Sequence, residues 1–133
     1  MSDCENYVFT RIAQKLRSSF ENISVTGEYV NEPSSFPHVS IIMNDSATRR
    51  SSLDGSSDYE AVHVSFEINV YSALQSGKKA QAKAIASVID KEFKDMNFIR
   101  DALLPMPNLA NAGIYRLTGR YRGCFDGETF YRR

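Results

Sequence analysis

Between Val62 and Tyr71 the chain alternates without a break. Val62, Val64, Phe66, Ile68 and Val70 hold the even positions, and His63, Ser65, Glu67, Asn69 and Tyr71 the odd ones. Successive side chains of a strand point to opposite faces, so this run predicts a strand with one buried face and one that is solvated or covered by a polar partner. Something apolar must cover the even face, and the chain supplies two segments of helical period to do so. In the first, Asp3 to Phe20, Ser2 and Glu5 have capping-box spacing, and Val8, Ile12 and Leu16 with Phe9, Ala13 and Phe20 form one stripe. In the second, Ser76 to Asp95, Ala82, Ile85, Val88, Ile89 and Phe93 form the stripe while Lys78, Lys79, Lys83, Lys91 and Lys94 stay wet.

Shorter alternating runs complete the pattern. Ile23, Val25 and Tyr29 share one parity, and His38 to Asn44 places Val39, Ile41 and Met43 on one side, with a turn-rich break from Asn31 to Pro37 between them. Asp45 to Asp58 is rich in serine and nearly free of apolar residues, which predicts a long polar loop. Asn97 to Leu104 is a less regular candidate for a short strand. Gly113 to Phe125 alternates again, with Tyr115, Leu117 and Tyr121 against Arg116, Thr118, Arg120 and Arg122. Asp126-Gly127 is a hairpin signal that returns the chain through Glu128 to Tyr131. The expected fold is α+β, in the order α-β-β-β-α-β-β. A mainly antiparallel sheet of four to five strands carries both amphipathic helices on one face, within one domain spanning residues 1–133. The other sheet face is then left for partners.

Chemistry is sparse. The two histidines, His38 and His63, both sit on polar strand parities, and the carboxylates are scattered singly. A zinc site needs three or four converging ligands, and Cys4 and Cys124 lie at opposite ends with no CxxC and no cysteine–histidine cluster. GxSxG, GxGxxG and a phosphate-binding GxxxxGK[ST] are absent. No catalytic, cofactor-binding or metal-ligating residue is assigned, and the expectation is a protein that is not an enzyme. Sixteen basic residues balance sixteen acidic ones, so no global field draws the chain to nucleic acid or to an acidic membrane. No run of eighteen apolar residues and no secretory signal is read, which places the product in the cytoplasm of the cell that makes it.

Charge is nonetheless clustered. Arg116, Arg120 and Arg122 share one face of a strand, and from Ile114 to Arg133 five arginines face only Asp126 and Glu128. Two arrangements fit. The arginines meet carboxylates such as Glu67 on a neighbouring strand, or they contact an acidic protein neighbour or DNA phosphates. Arg49 and Arg50 lie in the polar stretch among Asp45, Asp54, Asp58 and Glu60, where a flexible arm that orders against a neighbouring subunit and plain disorder are both open readings. Arg49, Arg50, Glu67, Arg116, Arg120 and Arg122 are the candidate subunit-interface or lumen-facing residues.

Two stretches, VSFEINVYSALQSGKKAQAKAIASVIDKEF (residues 64–93) and MPNLANAGIYRLTGRYRG (residues 106–123), run an alternating strand through a short turn into an alanine-rich helix, then a Pro-Asn turn into a strand that begins Ile-Tyr-Arg. In this succession the chain resembles the tail terminator, or tail completion, proteins of long-tailed bacteriophages. The resemblance covers nearly the whole chain except the serine-rich stretch at 45–58. It implies a structural virion protein, assembled in the bacterial host cytoplasm and located at the head-proximal end of the tail. There a hexameric ring caps the tail tube, stops its polymerisation and joins it to the head–neck connector. The implied partners are further copies of the chain, the tail tube protein and the connector, with at most non-specific contact with passing DNA. Alternatives are a neck or head-closure protein, or a small binding adaptor outside phages.

Overall fold

Why the two helices stop where they do is written in their last turns. Helix α1 (Cys4–Ser19) buries Val8, Ile12, Ala13 and Leu16 along one stripe, and the chain leaves it through Asn22 at φ 59°. Helix α2 (Lys78–Asp95) buries Ala82, Ile85, Ala86, Ile89 and Phe93, and ends in a Schellman arrangement. The Phe98 N–H donates to the Phe93 carbonyl at 2.9 Å and the Asn97 N–H to the Lys94 carbonyl at 2.9 Å, with Asn97 left-handed at φ 67°. Asparagine tolerates that conformation, and the apolar contact that accompanies such a stop is the Phe93–Phe98 ring pair, with centroids 4.9 Å apart.

The computed structural model describes residues 4–28, 33, 35–50, 60–73, 76–106, 113–125 and 130–131. Its strands are β1 (Ser24–Thr26), β2 (His38–Arg50), β3 (Glu60–Ser72), β4 (Ile99–Met106), β5 (Tyr115–Phe125) and β6 (Phe130–Tyr131). They form one sheet in the order β1-β2-β3-β5-β4, with β6 also paired to β5. The fold is α+β, with elements in the order expected. The sheet is mixed, because β1 runs parallel to β2 while every other pair is antiparallel. α2 carries the chain from β3 across to β4, and β5 fills the place between them.

Both helices pack on one face. Val8, Ile12 and Leu16 of α1 and Ile85, Ile89 and Phe93 of α2 join Val39, Ile41, Val64, Phe66, Ile68, Val70, Leu117 and Tyr121 in a single buried cluster. The Phe93 ring stacks on Tyr121 at 4.2 Å and 10° and lies 6.0 Å from Phe66. Gly119 and Gly123 share the core-facing parity of Leu117 and Tyr121. A β-carbon on Gly123 would lie 3.0 Å from the Phe98 ring, and one on Gly119 would lie 3.1 Å from the Tyr121 ring. The two glycines leave room for the aromatic layer. Across the helix pair, Arg11 Nε donates to Glu92 Oε1 at 3.1 Å, which gives the nearly buried carboxylate a partner.

Two expectations need correction. The polar stretch from Asp45 is not loop throughout, because β2 continues to Arg50 and pairs with β3 as far as Arg50↔Glu60. A register shift between Met43 and Asp45 moves Asn44 out of the ladder and reverses the parity beyond it, as a bulge does. Residues 51–58 of that expected loop lie outside the described residues. The reverse face of the sheet, expected to be left open for partners, is also not open along its whole length. On β3, His63, Ser65 and Glu67 are half-buried, but Asn69 and Tyr71 are fully buried, and Ser40, His38 and Thr118 on the flanking strands are buried with them.

Candidate functional site

Register places the reverse-face side chains in facing rows. Glu67 lies opposite Arg120, Asn69 opposite Thr118 and Tyr71 opposite Arg116. Asn69 is the hub. Its Oδ1 accepts from Arg116 Nε at 2.9 Å and from Thr118 Oγ1 at 2.8 Å, and its Nδ2 donates to Glu67 Oε2 at 3.0 Å. The other Glu67 oxygen sits 3.4 Å from an Arg120 nitrogen. Arg116 lies over the Tyr71 ring at 5.7 Å, and the Tyr71 and His38 rings are 5.9 Å apart. On β4, Asp101 accepts from Arg122 Nε at 2.9 Å. A polar network thus joins β3 to β5, flanked by the His38 ring on β2 and by a separate Arg122–Asp101 pair that reaches β4.

The three strand arginines share this face but differ in exposure. Arg116 is half-buried within the network, whereas the Arg120 and Arg122 side chains are 61% and 53% exposed, so their outer edges remain open to a partner. Glu67 is brought to Arg120, as cross-strand pairing allows. Arg49 and Arg50 are not brought to this cluster along the backbone: they end β2, opposite Ala61 and Glu60, and their side chains lie outside what is described.

At the buried end of the network His38 bridges β1 and β2. Thr26 Oγ1 donates to the Glu28 carbonyl at 3.1 Å, so it accepts from His38 Nε2–H at 3.2 Å, and Nδ1 then accepts from Ser24 Oγ at 3.0 Å. This is a neutral imidazole, and burial pushes its pKa below the ordinary 6.5. The unfolded chain takes up a proton at the ordinary value and the folded chain only at lower pH. Between the two the unfolded state holds more protons, so this contribution is complete above 6.5 and lost as pH falls through it. Thermal melts from pH 7.5 to 5 should show stability falling below 6.5, with a shallower fall in His38→Asn; equal slopes in the two proteins would refute the assignment.

A second feature was not anticipated from the residues. On the helix face, α2 and β4 border a cleft of about 500 Å³. Leu103, Pro105, Tyr115 and Leu117 form its apolar wall, and Lys79 and Lys83 of α2 stand at its side with Arg100 of β4. Asp90, at its inner end, accepts from Tyr121 at 3.0 Å and lies 3.5 Å from Arg100, and burial followed by the Asp90 charge raises the Tyr121 phenol above its usual range. Lys79 and Lys83 are exposed and meet no carboxylate among the described residues. The Tyr115 hydroxyl is buried with no hydrogen-bond partner among the described residues. The lysines read as the wet side of a helix; the cleft exists because β4 lies beyond β5 rather than beside β3, an order that no local pattern encodes.

Among the described residues no group of three histidine, cysteine or acidic side chains could hold a metal ion, and no helix is long and apolar enough to cross a membrane. No protein-family model matches the chain, and no curated protein matches it.

Proposed function

We propose that this chain is a structural virion protein, a tail terminator that forms a hexameric ring on the head-proximal end of a phage tail tube, stops tube growth and joins the tail to the head–neck connector. The observation that carries the reading is the pair of strand edges left without a partner among the described residues. β1 covers only His38–Ser40 of β2, so Ile41–Arg50 is open on one side, and β4 is open along Ile99–Met106 on the other. Leu104 and Met106 of β4 are exposed. An isolated domain usually blunts such edges, whereas a subunit that meets a copy on each side uses them. Pro105 and the register shift at Asp101 blunt part of the β4 edge, which leaves Ile41–Arg50 of β2 as the longer uninterrupted one. The sequence resemblance points the same way, and the exposed sides of Arg120 and Arg122 give the ring a basic surface for an acidic neighbour.

Adding the protein to polymerising tail-tube subunits tests this. Tubes should stop lengthening, and the Arg120→Ser/Arg122→Ser variant should cap poorly although its melting midpoint stays within about 2 °C of the parent, because exposed ion pairs contribute little to folding. Tube length unaffected by the unmodified protein would end the terminator reading, and a neck or head-closure protein would show that result while still binding the connector.

A further inference from the structure

The end of the α2–β4 cleft that carries Lys79 and the connection between β2 and β3 lie at opposite ends of the sheet. β2 and β3 are paired out to Arg50 and Glu60, and these two residues lie just beyond the Val62↔Phe125 pair at one end of the sheet. Lys79, in the first turn of α2, shares the cleft with Tyr115, which pairs with Ser72 at the other end of β3. Phe125 lies ten positions after Tyr115 on β5, roughly 33 Å of strand. Asp54 is four residues from Arg50, a reach of at most about 14 Å, and Asp58 is only two from Glu60. The carboxylates of this connection therefore cannot meet Lys79 or Lys83 of their own molecule.

Their chemistry nonetheless matches. Residues 51–60, Ser-Ser-Leu-Asp-Gly-Ser-Ser-Asp-Tyr-Glu, carry three carboxylates, no basic residue, and two apolar side chains in Leu53 and Tyr59. The cleft offers two lysines with no carboxylate partner among the described residues, an apolar wall, a volume that accepts a few side chains, and the buried Tyr115 hydroxyl, which has no hydrogen-bond partner among those residues. We infer that the α2–β4 cleft is the receptor for the acidic 51–60 segment of a second copy of this chain. Asp54 and Asp58 meet Lys79 and Lys83 while Leu53 or Tyr59 covers Leu103 and Leu117. This rests on the ring reading and gives it a direction: donor and receptor on different surfaces make a head-to-tail contact, which repeats around a ring when its rotation closes.

The probe is a fluorescein-labelled peptide of residues 51–60, titrated by polarisation against the full-length chain. Saturable binding is expected, weakened at least tenfold by Lys79→Glu/Lys83→Glu and by raised salt. A peptide carrying Asp54→Lys and Asp58→Lys should prefer that variant over the parent chain. Circular dichroism of the variant shows that it is folded, since both lysines are exposed. No saturable binding, binding indifferent to the charge swap, or tighter binding at the same lysines by a short DNA duplex would each overturn the inference. The two readings fail separately. Peptide binding without any effect on tube length refutes the terminator and leaves the cleft; normal capping by Lys79→Glu/Lys83→Glu refutes the cleft and leaves the terminator.

Discussion

Replacing Phe93 with Ala is expected to cost about 3–5 kcal/mol, the range for removing a large aromatic from a packed core. Phe93 is fully buried and touches three other rings at once, stacked on Tyr121 and tilted against Phe66 and Phe98. Truncation therefore removes transfer energy and opens a void walled by rigid rings anchored on β3, on β5 and at the end of α2, which cannot all collapse inward. It also removes the apolar contact that accompanies the Asn97 stop, so the end of α2 and the entry into β4 should loosen together. Denaturant unfolding measures the loss directly, and a chain of this size should lose roughly 10 °C or more in thermal midpoint. Phe93→Leu, which retains most of the volume, should cost well under half as much. A loss below about 1 kcal/mol for the alanine variant would mean that the aromatic layer is not the centre of this core.

How much of this was legible in the residues depends on what each element uses to declare itself. β3 and the two helices declare themselves by apolar period, because their buried faces must be apolar, and the stripes at Val64–Val70, Val8–Leu16 and Ala82–Phe93 are the ones the fold buries. Glu67 opposite Arg120 was legible as a cross-strand possibility. β2 beyond Asn44 was not, since a bulge reverses its parity there and the remaining residues are polar; backbone hydrogen bonding, which is blind to composition, carries the ladder on to Arg50. β4 was blurred for a related reason, with a register shift at Asp101 and Pro105 near its end. Gly119 and Gly123 occupy core-facing positions, and the close approach of the Phe98 and Tyr121 rings and of Leu103 explains why those positions carry no side chain. The reverse face was misjudged because its parity is polar. Asn69, Thr118 and Arg116 satisfy one another, and a mutually bonded polar group can be buried without the cost of an orphaned one. The cleft could not be foreseen at all, because strand order brings its two walls together.

That polar hub supplies the other large effect. Asn69→Leu keeps the branched four-atom shape of a fully buried side chain, with somewhat more bulk, but deletes one acceptor and one donor. Thr118 Oγ1, buried, loses the oxygen it bonds, and Arg116 Nε loses its acceptor in a half-buried setting. An orphaned buried donor costs about 1–3 kcal/mol, and the half-exposed guanidinium less, so a total of about 2–4 kcal/mol is expected in denaturant unfolding. The mechanism makes a sharper demand than the magnitude. Thr118→Val removes the very hydroxyl that Asn69→Leu strands, so the double variant should cost clearly less than the two single losses added together. Strict additivity would refute the hub, whatever the size of the single effects. The same substitution reaches the surface, since Asn69 Nδ2 steadies Glu67 and Glu67 holds Arg120. A folded Asn69→Leu protein, compared with its parent below both melting points, should therefore present Arg120 in a wider range of positions than Thr118→Val, which leaves the bond between Asn69 and Glu67 in place, and under the proposed terminator function it should cap tubes less well.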